Sequence, residues 1–155
     1  MDNRSHWVAW AAGALDGEGC IFLSRGKHKR CREFWTLRVS VSNTDPKMLI
    51  RFKELFGGTI TSNGVPKGCN LRSWKWGIRS GLASEALKEM LPWLITKHEQ
   101  AELAILSRSL MGRSGSKGSA DLPALRLVHS TLQKLKRLPQ EMPDREYPLK
   151  VGEIK

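Results

Sequence analysis

The sequence predicts an α+β domain with an antiparallel sheet, and three observations support this fold class. Two pairs of strand-like segments are each preceded by a helix-like segment. Residues 34–43 alternate apolar and polar side chains, as expected for a strand with one buried face. Glycine and proline residues punctuate the chain between these segments. A single domain over residues 1–138 accounts for this order, followed by a proline-rich tail over 139–155.

The first predicted helix covers residues 5–16 and leads into two strands. Its apolar residues recur at helical spacing. Gly17 and Gly19 end the helix, and residues 20–25 form the first strand. The second strand, 34–43, directs apolar side chains to one face: Leu37, Val39 and Val41. Its other face carries polar and basic side chains: Thr36, Arg38, Ser40 and Ser42.

The chain then repeats a helix and two strands before it becomes helical. Asp45 and Pro46 begin the next helix as N-cap and first helical residue, and Gly57 ends it. Strands are predicted over 59–63 and 72–79. Three further helices follow: one over 84–91, one that begins with a capping box at Thr96 to Glu99, and one over about 122–138.

The charge of the chain indicates a polyanionic partner. Its 155 residues include 26 lysines and arginines against 15 acids, a formal net charge of +11. Fourteen of these cations and only six of the acids lie in residues 1–81, so the excess is concentrated there. Counterion release on binding therefore favours nucleic acid over the alternative, a surface that is charged only for solubility.

Composition also disfavours several functional classes. No apolar run reaches the roughly 20 residues of a membrane helix, and the first six residues lack the apolar core of a signal peptide. A soluble, intracellular protein without a membrane partner is expected. The three cysteines form no C-x-x-C pair and the four histidines show no ligand spacing, which argues against disulfide, zinc-knuckle and histidine-based nuclease sites.

The end of the first helix is the segment most informative about chemistry. Ala9, Ala12 and Gly13 give the helix almost no side-chain bulk on one face, which lets a second helix approach closely. Asp16 and Glu18 follow, interleaved with glycines. An acid at a helix C-terminus meets the negative end of the helix dipole, so a divalent cation would explain Glu18 better than helix stability does. The alternative is a tight turn with solvated acids.

This combination of small-residue helix, D-G-E-G, apolar strand, basic turn and alternating strand resembles the LAGLIDADG homing endonucleases. Residues 11–19 match the family's signature helix and its end, although Ala11 and Ala14 stand where the family often has larger apolar residues. The resemblance implies an αββαββα core over residues 5–111, with a four-stranded antiparallel DNA-binding saddle and C-terminal helices. The motif occurs once in this chain, and in this respect the chain resembles the single-motif, homodimeric class of the family. A helix face without bulk also needs a copy of itself to cover it.

The resemblance further implies an activity. An intron-encoded, homodimeric DNA endonuclease would make a double-strand cut in a long, near-palindromic site by metal-dependent phosphodiester hydrolysis. Glu18 corresponds to the acid that binds the catalytic ions, and the Gly17 carbonyl corresponds to the family's backbone ligand. Mg²⁺ is the expected ion because carboxylate and phosphate oxygens suit it, and Mn²⁺ and Ca²⁺ are alternative occupants.

Two more catalytic residues and a dimer interface follow from the same resemblance. Lys97 falls where a basic residue neutralises phosphate charge, and Asn43 where a polar residue orders water near the metals. The alternatives are an exposed first-turn lysine for Lys97 and an Asx turn into Asp45 for Asn43. The implied interface consists of Trp7, Ala9, Ala12, Gly13 and Asp16, of which the last caps the partner helix in the family.

The outward side chains of the sheet are the expected contacts to double-stranded DNA. The base-reading set is Ser24, Thr36, Arg38, Ser40, Thr61, Asn63, Ser73, Lys75 and Arg79. The turn after the first strand supplies phosphate contacts: Lys27, Lys29, Arg30 and Arg32. An intron RNA maturase and a DNA-binding regulator without cleavage fit the same scaffold. Glu18 and Lys97 favour the endonuclease and DNA over RNA, because a pure binder gains little from an acid held against phosphate.

Overall fold

The structure, a computed structural model, describes residues 3–28, 31–65, 67–68, 70–112 and 120–137. Its elements in chain order are α1 Asn3–Glu18, β1 Gly19–His28, β2 Cys31–Asn43, α2 Pro46–Phe56, β3 Thr59–Gly64, β4 Ser73–Arg79, α3 Ser80–Met90, α4 His98–Leu110 and α5 Leu122–Leu135. A 3₁₀ turn, Leu91–Trp93, links α3 to α4. The predicted α+β class and its αββαββα order are confirmed.

The four strands form one antiparallel sheet in the order β1-β2-β4-β3. One row of the register runs from Gly19 to Val41, on to Trp76 and then to Ile60. The start of β1 and the end of β2 therefore lie at the same end of the sheet. Because β1 follows α1 directly, the last turn of α1 lies at this end as well.

The hydrophobic core lies between the helices and one face of the sheet, called here the inner face. The buried apolar side chains of the strands all point to it: Ile21, Leu23, Trp35, Leu37, Val39, Val41, Trp76 and Ile78. α1 contributes Val8, Ala11, Ala12 and Leu15 to the same core. Since side chains alternate along a strand, the core also determines which residues are left for the opposite, outer face.

The N-terminus of α2 agrees with the sequence prediction, whereas that of α4 does not. Asp45 accepts a hydrogen bond from the Lys47 amide at 2.9 Å, and Pro46 opens α2. The capping box predicted at Thr96 to Glu99 is wrong, because the residue that precedes α4 is Lys97 and it makes no side-chain cap. A partner from another helix, described below, replaces the local cap.

Other element boundaries shift by a few residues. α1 continues through Gly17 to Glu18, and α3 begins at Ser80, earlier than predicted. The last helix ends at Leu135, while the predicted tail, 139–155, lies outside the described residues. Among the helices that the structure describes, none is long and apolar enough to cross a membrane.

Candidate active site and nucleic-acid surface

The junction between α1 and β1 positions Glu18 at an exposed helix end. Leu15 and Ile21 are fully buried on either side of it and anchor the junction in the core. Gly19 is required by close approach, because a Cβ there would lie 2.6 Å from the Leu15 carbonyl oxygen. The chain thus passes from helix to strand without a loop, and Gly17 and Glu18 are left exposed.

Asp16 ties the end of α1 to the start of α4. Its two carboxylate oxygens accept hydrogen bonds from the backbone amides of Ile95, at 2.7 Å, and Lys97, at 2.9 Å. Both oxygens are therefore engaged within the chain. Asp16 thus caps the start of α4 in its own chain, and its assignment to the dimer interface stays a prediction.

Lys97 lies against the C-terminal end of α1. Its Nζ donates a hydrogen bond to the carbonyl oxygen of Asp16, and its side chain is half-buried. Carbonyl groups at a helix C-terminus carry partial negative charge and have no partner inside the helix, so they attract a cation. Lys97 therefore contacts a residue that lies two positions before Glu18 on α1. It is not the freely solvated lysine considered as the alternative.

Asn43 lies at the same end of the sheet but is held by local contacts. It is two residues beyond Val41, the register partner of Gly19. Its Oδ1 accepts a hydrogen bond from the Asp45 amide at 2.8 Å, which is the Asx turn considered as the alternative. Its Nδ2 lies 3.7 Å from the Met48 sulfur. Its role in ordering water remains a prediction.

The oxygen donors at the end of α1 fit a hard divalent cation. In the described part of the chain the Glu18 carboxylate has no hydrogen bond or ion pair, and the carbonyl of exposed Gly17 belongs to the last helical turn. Carboxylate and carbonyl oxygens are the ligands that Mg²⁺ and Ca²⁺ prefer. No cluster of three or more candidate ligands occurs among the described residues, so one chain supplies only part of a coordination shell.

The outward side of α1 carries little side-chain bulk at Gly13. A Cβ added to Gly13 would have no atom within 4 Å, and Ala9 beside it is half-buried. Ala12 is fully buried in the chain's own core, so its assignment to the interface is corrected: it lies about 100° around the helix from Gly13. Trp7 is 36 % exposed on the outward side, and Arg51 stacks on its ring at 4.1 Å.

The outer face of the sheet carries most of the predicted base-reading set. The register aligns the pairs Ser24 with Thr36, Arg38 with Arg79, and Thr61 with Lys75 on this face. Ser40 has the same orientation but is only 7 % exposed. Ser73 pairs with Gly64 at the end of β4, and exposed Asn63 lies at the register shift in β3.

The basic turn after β1 is described only in part. Lys27 is exposed at the end of β1. Lys29 and Arg30 lie outside the described residues, and the side chain of Arg32 is likewise not described. The phosphate contacts predicted for these residues stay predictions.

Sequence reasoning did not identify Lys136 as a neighbour of the outer face. Its Nζ lies 3.6 Å from the Cys20 sulfur and 5.9 Å from the centre of the Phe22 ring, both on the outer side of β1. The end of α5 thus carries a cation to the β1 edge of the sheet. The basic residues at positions 134, 136 and 137 were the only signal for this contact.

Glu33 is a second residue that sequence reasoning missed. Its carboxylate is 7 % exposed on the inner face and accepts hydrogen bonds from Arg126, Arg25 and Trp35. The hydrogen bond from Arg126 of α5 is the main reason that the pKa of Glu33 falls to about 2, although desolvation opposes it. Arg126 is 93 residues away in sequence, so no local pattern indicates this pair.

Comparison with known proteins gives structural matches alone. No family model matches the sequence, and no curated protein matches it. The homing endonuclease I-CvuI, in complex with its target in the presence of calcium, has a TM-score of 0.71 at 18% identity, with 90% of this chain and 88% of that chain covered. The archaeal intron-encoded homing endonuclease I-Vdi141I, complexed with DNA, has a TM-score of 0.70 at 14% identity, with 93% and 91% covered.

A third match carries the family name. The LAGLIDADG homing endonuclease I-GzeII, in complex with its DNA target, has a TM-score of 0.54 at 16% identity, and the match covers 88% of this chain but 44% of that chain. The resemblance predicted from residues 11–19 is thus confirmed at the level of the fold. The chain has the fold of the LAGLIDADG homing endonucleases.

Proposed function

We propose that this protein is a site-specific homing endonuclease that acts as a homodimer and cuts both strands of a long, near-palindromic DNA site. The observation that carries the proposal is the end of α1, where Lys97 donates a hydrogen bond to the Asp16 carbonyl directly before the exposed Gly17 and Glu18. The complexes of I-CvuI and I-Vdi141I with DNA support the choice of substrate.

Glu18 and the Gly17 carbonyl are the proposed ligands of Mg²⁺. A divalent cation bound there would activate water and stabilise the leaving oxygen of the phosphodiester. Lys97 is the proposed group that neutralises phosphate charge, and its two hydrogen bonds to Asp16, one from the amide and one from the ammonium group, support this role. The Asn43 side chain is the proposed water-ordering group at the same end of the sheet.

The dimer is proposed because one chain provides only half of what a double-strand cut requires. A duplex cut involves two phosphodiesters, whereas one chain presents one free acid at the end of α1. The face of α1 around Gly13 has room for a second copy of the same helix. Two-fold symmetry of the protein then selects a near-palindromic site.

The outer face of the sheet is the proposed DNA-binding surface. Its arginines, lysines and small hydroxyl side chains match the acceptors and donors of the major groove. Lys27 at the end of β1 and Lys136 at the β1 edge are suited to contact phosphates, which position the duplex without specifying its sequence.

The proposal is tested by selection of cleaved molecules from a randomised duplex library with Mg²⁺. Wild-type protein is expected to yield a symmetric consensus with both strands cut. Glu18→Gln should abolish cleavage and retain binding, while Glu85→Gln, on an exposed part of α3, serves as the matched control. Normal cleavage by Glu18→Gln contradicts the site assignment.

The other outcomes of the selection separate the rival functions. Sequence-specific retention of DNA without cleavage by the wild type would identify a regulator. Binding of structured intron RNA in preference to duplex DNA would identify a maturase. An asymmetric consensus would contradict the homodimer.

A further inference from the structure

Arg38 and Arg79 face each other directly on the outer face of the sheet. They are register partners on β2 and β4, the two central strands, and both are exposed. Like charges directly opposite in an antiparallel pair destabilise it. Among the described residues neither guanidinium has an acidic partner or a hydrogen bond, so the stability of the fold does not explain the pair.

The two arginines border a groove with a floor of small residues. The groove has a volume of about 470 Å³. Gly77 lies next to Arg79 on the outer side of β4, and its register partners are Ser40 on β2 and Thr59 on β3. This floor leaves room for a planar group to lie beside the two arginine side chains.

The position of the pair favours bases over phosphates. The DNA backbone flanks the major groove, so edge strands and turns meet phosphates, whereas the centre of an inserted sheet meets base edges. The fork of an arginine matches the O6 and N7 acceptors of guanine, and lysine lacks this planar geometry.

We propose, on the basis of the proposed function, that Arg38 and Arg79 are specificity-determining residues that read two guanines in each half-site. Paired residues on neighbouring strands have Cα atoms about 4.5 to 5.5 Å apart, against a rise of about 3.4 Å per base pair. Because this separation runs across the strands, and only the direction along them follows the duplex, the two guanines lie at neighbouring base pairs. The row of Phe22 and Arg38 is three residues from that of Gly19 and Val41, which puts the guanines roughly three base pairs outward from Glu18.

The test compares base preferences of wild type, Arg38→Lys and Arg79→Lys in the library selection, with Ca²⁺ for binding and Mg²⁺ for cleavage. Lysine keeps the charge and removes the fork. Wild type is expected to prefer guanine at both positions by about 5- to 150-fold over the other bases. Each variant should lose that preference at one position and keep it at the other, with its affinity for random-sequence DNA within twofold of wild type. Lys88→Ala, on the exposed side of α3, is the control that should leave both preferences intact.

Two results would overturn the inference and leave the proposed function standing. One is a wild-type consensus that lacks paired guanines. The other is a loss of affinity in the lysine variants that is equal for all sequences, which would make the arginines phosphate contacts. If the wild type neither retains nor cuts any duplex, the proposed function itself fails, and the inference fails with it.

Discussion

At the scale of single residues, Lys97 and Glu18 are held in different ways. Asp16 fixes the Lys97 amide and accepts the Lys97 ammonium through its own carbonyl, so this cation is positioned before any substrate arrives. Glu18 has its backbone fixed by the α1–β1 junction, while its carboxylate is free of protein partners in the described part of the chain. A preorganised cation and a free acid suit a site that is completed by a metal and a phosphate.

Replacement of Lys97 by methionine should slow cleavage about 100- to 1,000-fold, since one preorganised group that stabilises charge in the transition state is lost. Binding to the target in Ca²⁺ should remain. Single-turnover cleavage and equilibrium binding measure the two effects, and Lys97→Arg should recover part of the rate. Equal losses in both measurements would instead indicate a structural role for Lys97.

Glu33 makes stability depend on pH in acid. Because its pKa is lowered from 4.5 to about 2 in the folded chain, its contribution is present above pH 4.5 and is lost as pH falls towards 2. The free energy of unfolding of wild type should therefore fall more steeply over this range than that of Glu33→Gln. Urea unfolding at stepped pH measures the slopes, with Glu54→Gln on α2 as the control. Parallel curves for wild type and Glu33→Gln would show that the pair with Arg126 is not formed.

At the scale of elements, the cap from α1 to α4 is an interaction that sequence could not reveal. A local pattern predicted a capping box at Thr96, but the Asp16 carboxylate meets the amides of Ile95 and Lys97 across about 80 residues of chain. The alternation of β2 and the Asp45–Pro46 start of α2 were predictable because they depend on neighbours in sequence. The burial of Ala12 was not predictable, because small residues occur on both sides of α1 and the sequence does not show which side faces the core.

Asp16→Asn should lower the free energy of unfolding by about 1 to 2 kcal/mol, because one acceptor of the cap becomes a donor that faces an amide. If the cap forms within one chain, the loss should be the same in the Gly13→Leu variant, which is expected to be monomeric. Chemical unfolding of Asp16→Asn with and without Gly13→Leu measures this. A loss that vanishes in the Gly13→Leu background would show that Asp16 acts across the dimer interface.

Gly13→Leu should leave the monomer folded and prevent dimerisation. A Cβ at this position meets no other atom of the single chain within 4 Å, and leucine improves helix propensity, but its side chain fills the face on which a second α1 would lie. Sedimentation equilibrium and cleavage assays measure the outcome, and Gly13→Ala provides a smaller, matched change. A Gly13→Leu dimer with full cleavage activity would show that α1 is not the interface.

At the scale of the whole molecule, the fold separates an apolar core from a basic surface. The inner face of the sheet and the helices bury the apolar residues, and the outer face keeps its cations away from acids in the described part of the chain. Part of the charge excess of residues 1–81 lies on this outer face, at Arg38, Lys75 and Arg79, and only the register could assign it there. The Glu33 pair with Arg126 holds α5 against the sheet from the inner side.

The central claim is that two copies of Glu18 act together across one duplex, and a mixed dimer tests it most directly. Wild-type and Glu18→Gln chains are refolded together in equal amounts and assayed with DNA in excess. The initial rate of double-strand cleavage should be about one quarter of the rate of the wild type, because random pairing of the chains gives both acids to only that fraction of the dimers. A rate of about one half, as expected if each chain cuts alone, would contradict the account.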